Sequence, residues 1–229
     1  AEWIHSSRGA RSAVILADME RTYPKLLQKY FSERFAELGG KILKSEVIDP
    51  DAASWQLPDT TGADVVFVSV ETAHNAARIV KALRQAGYAG PVLGGDGYDD
   101  NDVWGKNRDI GDVYFTTHVY LGDDAAKPDV VRFKEAYKRA FPNEAPTAFA
   151  ALAYDATGLL AAALETSGEA TPAGLLQGLL NLRNYDGVTG RIGFPDGSRI
   201  PLKSVSLIGV HDGQLRLEQE ILPVSVPAP

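Results

Sequence analysis

Short apolar runs alternate with amphipathic segments through the first half of the chain, and this alternation limits the folds open to it. Strand-length apolar runs cover residues 13–17, 42–47, 64–70, 91–94 and 112–116. One helix, with Pro24 in its first turn, stops at Gly39-Gly40, and a second, with Thr72 as its predicted N-cap, stops at Gly87. Parallel strands that are buried on both faces have continuous apolar sequences. The pattern therefore predicts an α/β fold, a parallel, doubly wound sheet with helices on both faces.

The second half of the chain has a different pattern, because helices follow one another without a strand between them. We predict helices over 128–141 and 146–167 and a weaker one over 171–181. Residues 185–215 then predict strands with tight turns at Asp186-Gly187, Asp196-Gly197 and Asp212-Gly213. The helix over 146–167 is apolar on every side, so we expect it to pack against other elements.

Composition argues against several classes of protein. The net charge of −7, from 30 acidic and 23 basic residues without a long basic run, argues against a nucleic-acid partner. The chain has no cysteine and therefore no disulfide, thiolate metal ligand or cysteine nucleophile. Its longest uninterrupted apolar runs are strand-length, far short of the roughly 20 residues of a membrane-spanning helix. It shows no signal-peptide pattern, and we expect any leader to have been removed.

The stretch VLGGDGYDD, residues 92–100, is open to three interpretations. Its GGD resembles a nucleotide-cyclase signature, but that hairpin needs a strand on each side, and here a loop and a helix follow. A calcium loop is incomplete, because Asn107 stands eleven residues after Asp96, where a bidentate Glu is needed. The third interpretation is the wall of a binding pocket.

No other motif predicts catalysis or a cofactor. The glycine-rich phosphate loops and the G-x-S-x-G elbow are absent from the sequence. The four histidines are scattered, without the spacing of metal ligands. We therefore predict a protein that is not an enzyme and that has no cofactor and no metal site.

Polar and aromatic side chains follow the predicted parallel strands at their carboxyl ends, where ligands of open α/β sheets bind. These side chains lie in residues 18–23, 71–72, 96–98 and 116–118. Any one of them is equally well explained as an ordinary loop residue, so the prediction of a ligand site depends on their convergence. Asp96 is the strongest candidate, because Gly95 and Gly97 would let a ligand approach its backbone closely.

Five ordered segments resemble one family: SAVILADMERTYPKLLQKYFSERFAELGGKI, VLGGDGYDD, VRFKEAYKRAF, AALAYDA and YDGVTGRIGF. They are similar to the branched-chain amino acid (leucine/isoleucine/valine) binding family, the solute-binding subunits of ABC importers, with a type I periplasmic-binding fold. The resemblance implies a periplasmic or extracellular protein that traps a small amino acid, or a related organic acid or amide, between two hinged lobes. It also implies a membrane permease as partner.

The resemblance also implies a division into lobes. Residues 1–117 and 203–229 would form the second lobe, and residues 118–202 would return to the first lobe, whose main sheet segment is absent from this sequence. We expect a truncated or cleaved chain, or a partner chain that supplies the rest.

Site residues follow from the same resemblance. Asp96 matches the acidic residue that holds a ligand ammonium, although the family often has Glu there. Tyr23 matches a tyrosine that packs on the ligand, and Pro24 stands after it in place of the usual glycine. Thr72, or Glu71 if the alignment slips by one, would add a contact, and Tyr98 would add ring contacts. Two alternatives stay open: a ligand-sensing domain of a receptor or regulator with this fold, and an enzyme using Asp96 and Asp18 as an acid/base pair.

Overall fold

A computed structural model of the protein describes residues 1–195 and 198–224. The helices are α1 (Glu2–Ser7), α2 (Thr22–Glu37), α3 (Ala73–Gln85), α4 (Asn101–Gly105), α5 (Pro128–Ala140), α6 (Ala148–Ser167) and α7 (Pro172–Asn181). The strands are β1 (Ser12–Ala17), β2 (Lys41–Val47), β3 (Val65–Ser69), β4 (Val92–Gly94), β5 (Val113–Thr117), β6 (Tyr185–Gly187), β7 (Gly190–Gly193), β8 (Leu202–Lys203), β9 (Val205–His211) and β10 (Gln214–Ile221).

The chain forms two compact units. Unit 1 consists of Ala1–Thr116 and Ile208–Arg216, and unit 2 consists of Thr117–Leu207 and Leu217–Pro229. The chain therefore passes from one unit to the other three times, within β5, β9 and β10. The assignment of residues 1–117, 118–202 and 203–229 to the lobes of a larger binding protein stays a prediction.

Unit 1 is built on the predicted parallel sheet. The strand order is β10-β9-β5-β4-β3-β1-β2, and the pairs from β2 to β5 are parallel. Every residue of β3 is buried, which means that both faces of the sheet are covered. On one face, Phe31 of α2 stacks on Phe67 of β3, with 4.0 Å between the ring centroids. The α/β prediction is confirmed.

The helix boundaries in unit 1 agree with the local signals in the sequence. Thr72 is the N-cap of α3, and its side-chain oxygen accepts a hydrogen bond from the backbone N–H of Asn75 at 3.2 Å. Helix α2 begins at Thr22, so Pro24 lies in its first turn, and it ends just before Gly39, whose φ is +87°.

Unit 2 contains the three predicted helices and a small antiparallel sheet of order β6-β7-β8. Helix α6 begins at Ala148, two residues after the predicted start, because Thr147 is its N-cap. The core lies between the helices and the hairpin and includes Val130, Phe133, Ala151 and Val188. The predicted helical segments are confirmed to within two residues.

Two of the three predicted turns can be compared with the structure. Asp212-Gly213 joins β9 to β10, with φ values of 52° and 77°, as a two-residue hairpin turn requires. The prediction at Asp186-Gly187 is wrong, because both residues belong to β6 and the turn is at Val188-Thr189. Asp196-Gly197 lies outside the described residues.

Asp155 of α6 explains the position of the wrongly predicted turn. Its carboxylate is 1% exposed and accepts the backbone N–H of Val188 at 2.8 Å, the backbone N–H of Thr189 at 2.7 Å and the Thr189 hydroxyl at 2.7 Å. A side chain that is distant in sequence thus satisfies the polar groups of the turn, in place of local Asp-Gly chemistry.

Helix α6 packs closely on α7. A Cβ added to Gly178 of α7 would lie 2.0 Å from the carbonyl oxygen of Ala163, so the glycine allows the two helices to touch.

By length and composition alone, α6 is the one helix among the described residues that could cross a membrane. A helix packed inside a folded protein passes the same test, and the buried Asp155 fastens α6 to the β6–β7 turn. Phe149 nevertheless remains 60% exposed and Leu160 44% exposed within unit 2.

Candidate ligand-binding site

The strand order of unit 1 has a switch point at β1 and β3. Strand β2 lies on one side of β1, and β3, β4 and β5 follow on the other, giving the order β2-β1-β3-β4-β5. The chain thus reverses its winding direction at β1 and β3, and open α/β sheets bind ligands at such a switch point. The predicted site residues lie just after the carboxyl ends of β1, β3 and β4.

Tyr23 and Asp96 meet at this edge. The Tyr23 phenol, in the first turn of α2, donates a hydrogen bond to the carboxylate of Asp96, which begins the 3₁₀ turn Asp96–Tyr98 after β4. Burial, and next the bond to Asp96, raise the pKa of Tyr23 above its ordinary value. The phenol is therefore a neutral donor at physiological pH.

Gly95 and Gly97 have a different role from the one that the sequence predicts. A Cβ at Gly95 would lie 2.3 Å from the Tyr23 hydroxyl oxygen, and a Cβ at Gly97 would lie 2.3 Å from the carbonyl oxygen of Glu71. Protein atoms already fill the space that we expected a ligand to use. The glycines instead allow the turn to close on its neighbours, which brings Tyr23, Glu71 and Asp96 together.

Glu71 and Thr72 follow β3 at the same edge and are both exposed. The Thr72 side-chain oxygen caps α3, which leaves part of its hydrogen-bonding capacity for other partners. The Glu71 carboxylate lies 3.4 Å from Nε of Arg21, and its side chain is 43% exposed. Both residues thus lie at the carboxyl end of β3, as the sequence predicts, and their contact with a ligand stays a prediction.

Tyr98 requires a correction. It is 0% exposed, its hydroxyl donates to the backbone carbonyl of Val68 at 2.6 Å, and its own carbonyl accepts from the Trp104 indole at 2.7 Å. The ring also packs against Phe115 in the core. We therefore reassign Tyr98 from a ligand contact to a core residue that fixes the turn behind Asp96.

Arg21 lies at the same edge of the sheet, and no motif in the sequence predicts its role there. Its guanidinium contacts the carboxylates of Asp18 at 2.6 Å, Asp51 at 2.9 Å and Glu71 at 3.4 Å. Hydrogen bonds to Asp51 and then to Asp18 raise the pKa of Arg21 above its ordinary value. The ends of β1 and β3 and the loop after β2 thus meet at one cation. The short spacing from Asp18 to Arg21 was the only local signal.

The acidic residues after Asp96 support the fold of this edge. The Asp100 carboxylate caps α4 by accepting the backbone N–H groups of Asp102 at 2.9 Å and Val103 at 3.0 Å. Within residues 1–195 and 198–224, no group of three or more His, Cys, Asp or Glu side chains is arranged to hold a metal ion. In VLGGDGYDD, Asp100 is thus a helix cap, and a role for this stretch as the wall of a binding pocket stays a prediction.

Comparison with known proteins identifies the family. Residues 1–213 match the family described as "Periplasmic binding protein". The chain therefore belongs to the periplasmic binding protein family, which agrees with the resemblance found in the sequence motifs. No curated protein matches the chain.

Solved structures show the same fold. A leucine-binding protein, LivK, from Thermotoga maritima is 27% identical with a TM-score of 0.76, over 96% of this chain and 63% of that one. A Rhodospirillum rubrum protein, provisionally assigned as a branched-chain amino acid ABC transporter, is 25% identical with a TM-score of 0.82, over 94% and 62%. An ABC transporter substrate-binding protein from Desulfitobacterium hafniense, in complex with Leu, is 25% identical with a TM-score of 0.66, over 92% and 61%. This chain thus spans less than two thirds of the length of these relatives.

Proposed function

We propose that this chain carries part of the ligand site of an extracytoplasmic solute-binding protein that serves the membrane permease of an ABC importer. The ligand is a small amino acid or a related compound, and the chain is not an enzyme. The observation that carries the proposal is the pairing of Tyr23 with Asp96 at the switch point of the sheet, beside Glu71 and Thr72. Family membership and the similarity to a leucine-binding protein and to a substrate-binding protein in complex with Leu support it.

Asp96 would receive the ammonium group of the ligand. One carboxylate oxygen accepts the Tyr23 phenol, and a carboxylate has lone pairs for further donors. A charge-assisted hydrogen bond of this kind contributes about 1.5–3 kcal/mol. The Tyr23 ring would cover the apolar part of the ligand, and the Thr72 hydroxyl and Glu71 would border it.

Closure of two lobes on the ligand would follow from the same contacts. A ligand that touches both lobes only when they are closed shifts the equilibrium toward the closed form by its differential affinity. The permease would then recognise the closed form. On this proposal, residues 118–202 belong with the first lobe, and ligand specificity is shared between the lobes.

Thermal unfolding with and without ligand tests the proposal. A ligand that binds only the folded chain raises the unfolding midpoint. We expect leucine, isoleucine or valine to raise it in a concentration-dependent way, and the rise to be lost in Asp96→Asn because affinity falls about 10- to 100-fold. No rise with any amino acid or small organic acid would contradict the proposal for this chain.

Asp109→Asn is the matched control. Asp109 belongs to the same unit, its side chain is 70% exposed, and it pairs with Lys81 away from the switch point. This variant should keep the ligand-induced rise of the wild-type chain. An equal loss of binding in both variants would show that Asp96 acts only through the total charge.

A further inference from the structure

Two independent observations place Arg21 next to the proposed ligand contacts. Along the chain, it is two residues before Tyr23, whose phenol bonds to Asp96. Across the sheet, its Nε lies 3.4 Å from the carboxylate of Glu71, and the backbone of Glu71 abuts Gly97, next to Asp96. Tyr23 and Glu71 thus link Arg21 to Asp96, and the charge of Arg21 lies on the same edge of the sheet as the proposed ligand contacts.

The partners of Arg21 differ in burial. Asp18 has a side chain that is 2% exposed, and its second oxygen accepts the backbone N–H of Glu20 at 2.9 Å, so the Arg21–Asp18 contact belongs to the scaffold. The side chains of Asp51 and Glu71 are 63% and 43% exposed, and that of Arg21 is 39% exposed. The guanidinium is thus anchored through Asp18 on its buried side and is partly exposed to solvent on the other.

The balance of charge at this edge follows from these contacts. Four carboxylates, those of Asp18, Asp51, Glu71 and Asp96, lie at or beside the switch point, and Arg21 contacts three of them. Without Arg21 the edge would carry one more uncompensated negative charge. Such an edge would favour a ligand with a net positive charge over a zwitterion.

We infer that Arg21 sets the charge preference of the ligand site, by offsetting the carboxylates around Asp96 so that a zwitterion competes with a net cation. The inference rests on the proposed function. Arg21 acts through the electrostatic field and does not contact the ligand, so its role is distinct from those of Asp96 and Tyr23. Its charge, rather than its shape, is the property that matters.

Leucine and leucinamide are the probes that test this inference, because they share a side chain and differ by one charge. Their dissociation constants are measured by calorimetry at pH 8, and that of leucinamide is corrected for the fraction of the probe that carries a charge. In Arg21→Gln the affinity ratio of leucinamide to leucine should rise roughly five- to tenfold, because the loss of one positive charge beside a partly exposed site favours the cationic probe. The rise should shrink in about 1 M salt, where the Debye length is about 3 Å.

Three control variants separate charge from structure. Arg21→Lys keeps the charge without the planar fork and should leave the ratio near that of the wild-type chain. Arg34→Gln removes the same charge from the other end of α2, where Arg34 pairs with Glu2 and Glu37, and should also leave it near wild type. Glu71→Gln removes an exposed carboxylate, leaves no buried charge behind, and should lower the ratio; it keeps the inference testable if Arg21→Gln does not fold.

The outcomes distinguish the inference from the proposed function. If the wild-type chain binds neither these probes nor any other amino acid or small organic acid, the proposed function fails and the inference fails with it. If leucine binds and the ratio changes equally in Arg21→Gln and Arg21→Lys, or in neither of them, only the inference about Arg21 is overturned. A change that persists in high salt would likewise show a structural role in place of an electrostatic one.

Discussion

Replacement of Asp155 by alanine should destabilise unit 2 strongly. The Asp155 carboxylate, 1% exposed, accepts three hydrogen bonds, from the backbone N–H groups of Val188 and Thr189 and from the Thr189 hydroxyl, all between 2.7 and 2.8 Å. Without the carboxylate, these three buried donors lose their partner at a cost of about 1–2 kcal/mol each. We expect the free energy of unfolding to fall by about 3–5 kcal/mol.

Urea unfolding followed by far-UV circular dichroism measures this loss, since α5, α6 and α7 contribute much of the helix signal. Asp186→Ala is the matched control, because Asp186 lies in the same hairpin with a side chain that is 77% exposed and should change the midpoint little. Thr189→Val removes one of the three bonds and should cost about 1 kcal/mol. Equal midpoints for Asp155→Ala and Asp186→Ala would refute the assignment of Asp155 as the residue that holds the turn.

Two further predictions concern a lysine and a glycine. Burial lowers the pKa of Lys203 to about 8, although its ammonium donates to the carbonyls of His118, Thr189 and Ser204 at 2.7–3.2 Å. The unfolded chain therefore holds this proton more tightly than the folded chain does. The free energy of unfolding, relative to that of Lys203→Met, should rise by about 2 kcal/mol between pH 8 and 10.5. Urea titrations of both chains in parallel measure this difference. Gly97→Ala should lower the thermal midpoint by an amount equivalent to about 1–3 kcal/mol, because its Cβ would lie 2.3 Å from the Glu71 carbonyl oxygen. Gly111→Ala is the control, since its Cβ would meet no atom within 4 Å, and it should lower the midpoint less. The first prediction would be contradicted if the difference in free energy of unfolding between the wild-type chain and Lys203→Met did not change with pH. The second would be contradicted if the two glycine variants had equal effects.

The sequence predicts the elements of this fold well, because their signals are local. Buried parallel strands are continuous apolar runs, and residues such as Thr72 mark a helix start through a bond to a backbone group three residues away. The convergence of polar residues at one edge of the sheet also follows from strand order alone. Tyr23, Glu71 and Asp96 are thus brought together as expected, although their role in binding stays a prediction.

The features that the sequence does not predict depend on contacts between distant residues. The Asp186-Gly187 pair is a local turn signal, but Asp155, more than thirty residues away, places the turn two residues later. Arg21 meets Asp51 and Glu71 only after the sheet has formed. Tyr98 lies in a single 3₁₀ turn, where spacing does not tell whether a side chain points to the core or to solvent, and the packing against Trp104 and Phe115 decides it.

The most direct measurement of the central claim is a backbone-amide NMR titration of the chain with leucine. The claim is that the carboxyl edge of β1, β3 and β4 forms the ligand site. It predicts that the largest saturable shift changes occur at Tyr23, Glu71, Thr72, Asp96 and Gly97. Saturable changes confined to unit 2, or no changes at millimolar leucine, would contradict it.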